Sequence, residues 1–215
     1  MKMKTLARFL KCIAALAAAF PLWAGQIQDS LTLPYEVRLN ERQPPEFVLK
    51  TIGVRPGMVI GEVGAGTGRY TVQIASRIRP DGKLYANDID LNALSVLRRR
   101  CEMHNFKNVE IVTGAVAETG FPKKTMDLVI MVNVVHCLAE PVALLKNIGA
   151  SLKPDGQLAV VEGNLDKDPS AAGEWFSRAK LMGIFKDAGY FLVREDASLP
   201  QDNIYLLKKS GPGDN

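Results

Sequence analysis

The chain has 215 residues, 47% hydrophobic and 23% charged, with 18 glycines and 12 prolines, which excludes a disordered, collagen-like or disulfide-scaffold protein. A chain of this length buries one substantial core, so a single domain is expected. Its formal charge of +4 rests on Lys2, Lys4, Arg8 and Lys11; from residue 26 onward basic and acidic side chains balance at 23 each, so no nucleic-acid partner is expected.

Those four cations precede an uncharged, mostly apolar stretch, 12–25, that ends in Ala24-Gly25. This is the layout of a secretory signal peptide over 1–25, with cleavage expected near Ala24 or Gly25 and an exported, periplasmic or secreted product. The stretch is short for a bilayer span, so no stable membrane insertion is expected after cleavage. An uncut leader serving as a membrane tether is the alternative. Cys101 and Cys137 then remain, on different crossovers, as free and partly buried thiols. His104 and His136 stand alone, and no metal-ligand spacing is present.

Residues 26–43 read as a polar, irregular N-terminal arm, and 44–210 as the domain, followed by a short tail, 211–215. Pro44-Pro45 opens a short helix over 46–52. Pro56-Gly57 turns the chain into a buried strand over 58–63. Alternation follows: a helix over 69–79, a strand over 83–87, a helix over 91–104, strands over 108–113 and 126–132, and a helix over 141–152. A Pro154-Asp155-Gly156 turn enters a strand over 157–162. Repeated strand–helix–strand units predict a parallel sheet with helices on both faces. After a helix over 171–188, strands over 190–195 and 203–208 are joined too closely for a crossover, so the final pair is antiparallel.

The strongest chemical signal is Glu62-Val63-Gly64-Ala65-Gly66-Thr67-Gly68, where the first strand meets the next helix. Glycines there let a ligand approach the backbone, and a helix N-terminus offers N–H groups to an anion. Asp88 ends the next strand, where a carboxylate can accept from a ribose diol; Asp90 is placed to cap the helix after it. The third glycine of a dinucleotide fingerprint is replaced by Arg69, which disfavours a nicotinamide cofactor, and no Lys-Ser or Lys-Thr follows the glycines as in a P-loop.

These residues resemble the class I S-adenosylmethionine-dependent methyltransferases, over about 43–208. Glu62 to Gly68 is similar to that family's first motif, Asn87-Asp88-Ile89-Asp90 to its ribose-binding acidic turn, and the run from Met126 to His136 to its fourth strand and the following loop. The opening Arg42-Gln43-Pro44-Pro45-Glu46 resembles that of small exported members. The resemblance implies a Rossmann-like, doubly wound, seven-stranded mixed sheet with an antiparallel last strand. It implies S-adenosylmethionine as cofactor, with Glu62, Gly64, Ala65 and Gly66 at its methionine end, Asp88 and Ile89 at the ribose, and Asn133 facing the methionine moiety. Where many members carry Gly-Asp-Ala, this chain has Gly114-Ala115-Val116; the Val116 N–H is left for the adenine, with Glu118 as the nearest carboxylate.

The implied function is methyl transfer to a small-molecule acceptor by an exported enzyme. Such transfer needs alignment, and a base only where the acceptor carries a proton. His136 is the imidazole placed for that role, with a structural role as the alternative. The amino-acceptor motif of the Asn-Pro-Pro-Tyr type and the cysteine set of arsenic methylation are both missing. Arg98-Arg99-Arg100 reads as a solvated basic face, Trp175, Phe176, Met182 and Phe185 as core or acceptor lid, and Tyr35 and Arg38 as part of a segment covering the cofactor, with packing or disorder as the alternative. Two competitors remain: a non-catalytic module binding S-adenosylmethionine or a nucleoside, and a tethered methyltransferase acting on a quinone or lipid. Oligomeric state is not legible.

Overall fold

A computed structural model describes residues 26–211; the leader over 1–25 and the tail beyond 211 lie outside the described residues. Strands β1 (Val59–Val63), β2 (Lys83–Asp88), β3 (Val109–Thr113), β4 (Met126–Val132), β5 (Leu152–Gly163), β6 (Tyr190–Asp196) and β7 (Asp202–Lys209) form one sheet. Their order is β3-β2-β1-β4-β5-β7-β6, with β7 antiparallel to β5 and β6, and with parallel pairing from β3 through to β5. The expected mixed sheet is present.

Among the described residues six α-helices accompany it: α1 (Pro34–Arg42), α2 (Pro45–Thr51), α3 (Thr71–Arg77), α4 (Leu91–Met103), α5 (Pro141–Ser151) and α6 (Arg178–Asp187). The strands are apolar on both faces because both are covered. Leu128 and Ile130 of β4 join α2, α3 and α4 in one core cluster, while Val129 and Met131 join α5 and α6 in the other. That alternation is the period-two geometry of a strand. Asp90 caps α4 as expected, accepting from Asn92 N at 2.8 Å and Ala93 N at 3.3 Å.

Four expectations need correction. Residues 34–42 are the helix α1 and not irregular chain: Pro34 opens it and Glu36 reaches back to accept from the Leu33 N–H at 2.9 Å. The helix expected over 171–188 begins only at Arg178, where Ser177 Oγ caps Lys180 N, because bridges Ala172–Trp175 and Asn164–Phe176 tie down the preceding segment. Strand β5 begins at Leu152, pairing with Met126 before a register shift, and not at Gln157. Arg100 is no part of a solvated face: it is 1% exposed, because Glu36 of α1 and Asp29 before that helix supply two carboxylates to it.

Candidate functional site

The chain leaves β1 toward β2 on one side and β4 lies on the other, so the order reverses between β1 and β4. Crevices in open α/β sheets form at the carboxyl ends of strands beside such a reversal. A cavity of about 330 Å³ lies there, lined by Gly64 after β1, Asp88 at the end of β2 and Ile89 after it, Val116 after β3, and Asn133 and Leu138 after β4. Five of the residues singled out from the sequence, Gly64, Asp88, Ile89, Val116 and Asn133, therefore share one wall-to-wall site.

Asp88 organises the glycine loop. Its Oδ2 accepts from Gly66 N at 2.7 Å and its Oδ1 from Asp90 N at 2.9 Å. Each oxygen keeps further accepting capacity, and no cation pairs with it among the described residues. Gly64 sits at φ +72, and a Cβ there would stand 2.4 Å from Val134 Cγ2. Gly66, at φ +54, faces open space. Ala65 is buried, its N–H donating to Asn87 O, so it anchors the loop beside the cavity without lining it.

Glu62 lies beneath the loop rather than on the cavity wall. Burial pushes its carboxyl up to about 8, which favours the protonated form; Thr71 Oγ1, at 2.6 Å, opposes that shift. Ala115 exchanges backbone hydrogen bonds with Glu118, which tightens a turn that presents Val116, 51% exposed, to the cavity. Ile89 is exposed opposite it, giving two apolar walls suited to a flat ring. Glu118 is exposed and does not reach the lining.

Asn133 lies at a left-handed φ of +56, which Asn tolerates better than most residues. Its amide pairs reciprocally with Gln43: Oδ1 accepts from Gln43 Nε2 at 2.8 Å and Nδ2 donates to Gln43 Oε1 at 3.0 Å, which leaves one N–H and one oxygen lone pair. Gln43 is the keystone that the sequence did not reveal. It is completely buried, donates also to Asp202 Oδ1 at 2.7 Å, and accepts from Arg69 at 3.0 Å and, through its carbonyl, from Tyr70 OH at 3.1 Å. The only available signal was its place beside the Pro44-Pro45 helix start.

The arm thus buttresses the site through Asn133 and the glycine loop without lining the cavity. Glu36 accepts from Thr67 Oγ1 at 2.7 Å and pairs with Arg100, whose NH1 also donates to Thr67 O at 3.2 Å. Arg100 further binds Asp29 at 3.0 Å, and His104 Nε2 lies 2.9 Å from the same carboxylate. Tyr35 and Arg38 point outward and do not cover the cavity. Of the aromatic candidates, Phe185 is core, while Trp175 and Phe176 are half-buried.

His136 is on a one-turn helix after β4 and does not line the cavity. Its Nδ1 hydrogen-bonds Glu162, and that bond raises its pKa above the usual imidazole value against the opposing effect of burial. Cys101 and Cys137 are free thiols, the first buried and the second exposed at the cavity. Among the described residues no cluster of metal-binding side chains occurs, and no helix is long and apolar enough to cross a membrane.

Fold and crevice together define a class I, Rossmann-like methyltransferase architecture. Residues 60–156 match the methyltransferase domain family. A solved S-adenosylmethionine-dependent methyltransferase from Aquifex aeolicus superposes with a TM-score of 0.72 at 25% identity, covering 80% of this chain and 96% of that one. A demethylmenaquinone methyltransferase from Listeria welshimeri is 24% identical over 178 residues, 68% of this chain and 75% of its own. One from Symbiobacterium thermophilum is 34% identical over 146 residues, 67% of this chain, which spans about half of that relative (54%). The chain carries an S-adenosylmethionine-dependent methyltransferase domain, and S-adenosylmethionine is its cofactor.

Proposed function

We propose that the protein is an exported enzyme that methylates a small molecule bearing a planar, quinol-type ring. The observation that carries the cofactor part is the cavity at the sheet reversal, where Asp88 meets the glycine loop without a cationic partner. Its donors and walls fit the cofactor: Asp88 would accept from the ribose hydroxyls, Ile89 and Val116 would flank the adenine, and the Gly64-Ala65-Gly66 backbone would meet the methionine end. Glu62 supports that loop from below through Thr71, and Gln43 holds Asn133 in place. When bound, S-adenosylmethionine supplies an electrophilic methyl group on a sulfonium. The protein's own contribution is alignment, exclusion of water and a proton acceptor, His136, for an acceptor that carries a hydroxyl.

The acceptor class is supported by the names of the two demethylmenaquinone methyltransferase relatives. Export is supported by the cations and apolar run of 1–25. A quinone acceptor also favours the second reading, in which an uncut leader keeps the enzyme at a membrane. N-terminal sequencing of the mature protein separates the two: a start at Gly25 or Gln26 removes the tether.

The test of the cofactor site is calorimetric titration with S-adenosylhomocysteine of the wild type and of Asp88→Ala. Micromolar binding, about −8 kcal/mol, is expected. Loss of charge-assisted hydrogen bonds should weaken it roughly ten- to a hundredfold in the variant. Mass spectrometry after incubation with S-adenosylmethionine and 1,4-naphthoquinol should show a single added methyl group. Cofactor binding with no methylated product from a panel of hydroxylated rings would reject the acceptor class and leave a binding module.

A further inference from the structure

Outside the cavity lining lies a group of side chains that cofactor binding does not use. Glu162, at the end of β5, is completely buried. Its Oε2 accepts from Val135 N at 2.8 Å and its Oε1 meets His136 Nδ1. With Nδ1 donating to the Glu162 carboxylate, the neutral imidazole keeps its lone pair on Nε2. The His136 side chain is 18% exposed, and its Nε2 has no hydrogen-bond partner among the described residues. It is not a satisfied core histidine.

Two further groups share this face. Arg42, from α1, is held by Asp202 at 3.0 Å and acts electrostatically on His136. Its guanidinium lies over the Trp175 ring, 5.0 Å from the centroid. Trp175 in turn packs on Gly163, the residue after Glu162, where a Cβ would stand 2.4 Å from the indole. The indole and a guanidinium fixed by a buried carboxylate thus stack on each other, and the charges of Arg42 and of Glu174, the residue before Trp175, act on the His136 imidazole, which keeps one free nitrogen.

We infer that Trp175, Arg42 and His136 form the acceptor subsite, that it takes a planar ring with an acidic hydroxyl, and that it holds this ring as the oxyanion. The inference deepens the quinol reading above and rests on it. A stacked indole and guanidinium bind a flat π-system face on, and the guanidinium attracts an anion. In the step assigned to His136, the acceptor O–H bond breaks, the proton passes to Nε2, and the electron pair stays on oxygen. The new imidazolium is stabilised by Glu162, which acts through His136 as a positioning residue. An aliphatic hydroxyl is too weak an acid for this pair, and an amine does not need it. Glu162 from β5 and Glu174 from the segment after it raise the basicity of the imidazole, Glu162 first; burial and Arg42 lower it.

The probe is 4-nitrophenol, which becomes yellow on ionisation, titrated into the full chain with and without S-adenosylhomocysteine. Bound nitrophenol should be ionised at a pH where free nitrophenol is mostly protonated. His136→Gln should abolish that colour change, and Trp175→Leu should weaken binding about tenfold, as expected for loss of an aromatic stack. Glu162→Gln should move the midpoint of ionisation to higher pH. Retained S-adenosylhomocysteine binding certifies that each variant is folded. Nitrophenol binding with unchanged colour and affinity in both His136→Gln and Trp175→Leu overturns the subsite. So does absence of binding to a wild type that binds S-adenosylhomocysteine, and in that case the methyltransferase reading stands. Ionised, His136-dependent binding without any S-adenosylhomocysteine binding supports the subsite and rejects the cofactor site instead.

Discussion

The two ends of the crevice are built by different means. At the cavity end, the turns after β1, β2, β3 and β4 bring backbone groups and apolar side chains together, with Asp88 as the carboxylate on its wall. At the arm end, side chains separated by tens to more than a hundred residues lock together: Arg100 with Asp29 and Glu36, Arg69 with Asn40 and Gln43, Arg42 and Gln43 with Asp202. The first end is a consequence of topology, since any chain with this strand order places these turns together. The second depends on individual long-range pairs, so single substitutions there should threaten the fold, whereas those at the cavity should mainly change binding.

The sharpest way to break that contrast is Arg100→Leu. The variant leaves Asp29 and Glu36 buried without their guanidinium, and removing one member of a buried ion pair typically costs about 3–5 kcal/mol. Urea denaturation should show a loss of that size, against less than about 1 kcal/mol for the half-buried Asp88→Ala. Comparable losses in the two variants would mean that the arm network is no more important to stability than the cavity carboxylate.

A smaller effect, confined to a pH window, is expected at Glu62. Its carboxyl is raised in the folded state to about 8 by burial, whereas in the unfolded chain it titrates near 4.5. Between those values the folded protein keeps a proton that the unfolded chain releases. Stability therefore falls as pH rises from about 4.5 to 8 and is flat beyond. Glu62→Gln keeps an acceptor for Thr71 but cannot ionise, so its urea midpoint should stay level where that of the wild type declines. Parallel curves would show that Glu62 is already charged in the folded protein.

This division also explains what was legible in the sequence. The sheet, its antiparallel closing pair and the Asp90 cap were legible because each depends on local period or turn chemistry; of the five cavity residues Gly64 and Asp88 were legible from the glycine loop and its spacing, and Ile89, Val116 and Asn133 through the methyltransferase resemblance. Helix α1, the burial of Arg100 and the Gln43 keystone were not. Their causes are contacts across 64 residues for Arg100–Glu36 and 159 for Gln43–Asp202, which no local pattern encodes. A basic triplet on a helix looks the same whether its last member meets water or two buried carboxylates. The helix expected from 171 fails for a related reason: pairing of Phe176 with Asn164 overrides local propensity.

Gln43→Ala tests the boundary between the two ends. It removes the partner of the Asn133 amide and one partner of Asp202, leaving polar groups unsatisfied in a buried setting, for about 1–3 kcal/mol. Freed from Gln43, the Asn133 amide faces the cavity, so S-adenosylhomocysteine affinity should change as well. A stability loss with unaltered affinity would confine Gln43 to the arm.

A modest stability effect is expected at Gly66. Alanine there would keep a left-handed backbone at φ +54, costing about 1–2 kcal/mol, but meets no atom within 4 Å. The open space beside it is the side on which a ligand would approach the loop, so the added methyl group should reduce S-adenosylhomocysteine affinity by more than it reduces stability. Gly64→Ala differs, because its Cβ would stand 2.4 Å from Val134 even without a ligand, and its stability loss should exceed that of Gly66→Ala. If Gly66→Ala binds S-adenosylhomocysteine as tightly as the wild type, the glycine serves the turn alone, and close approach of a ligand to this part of the loop is excluded.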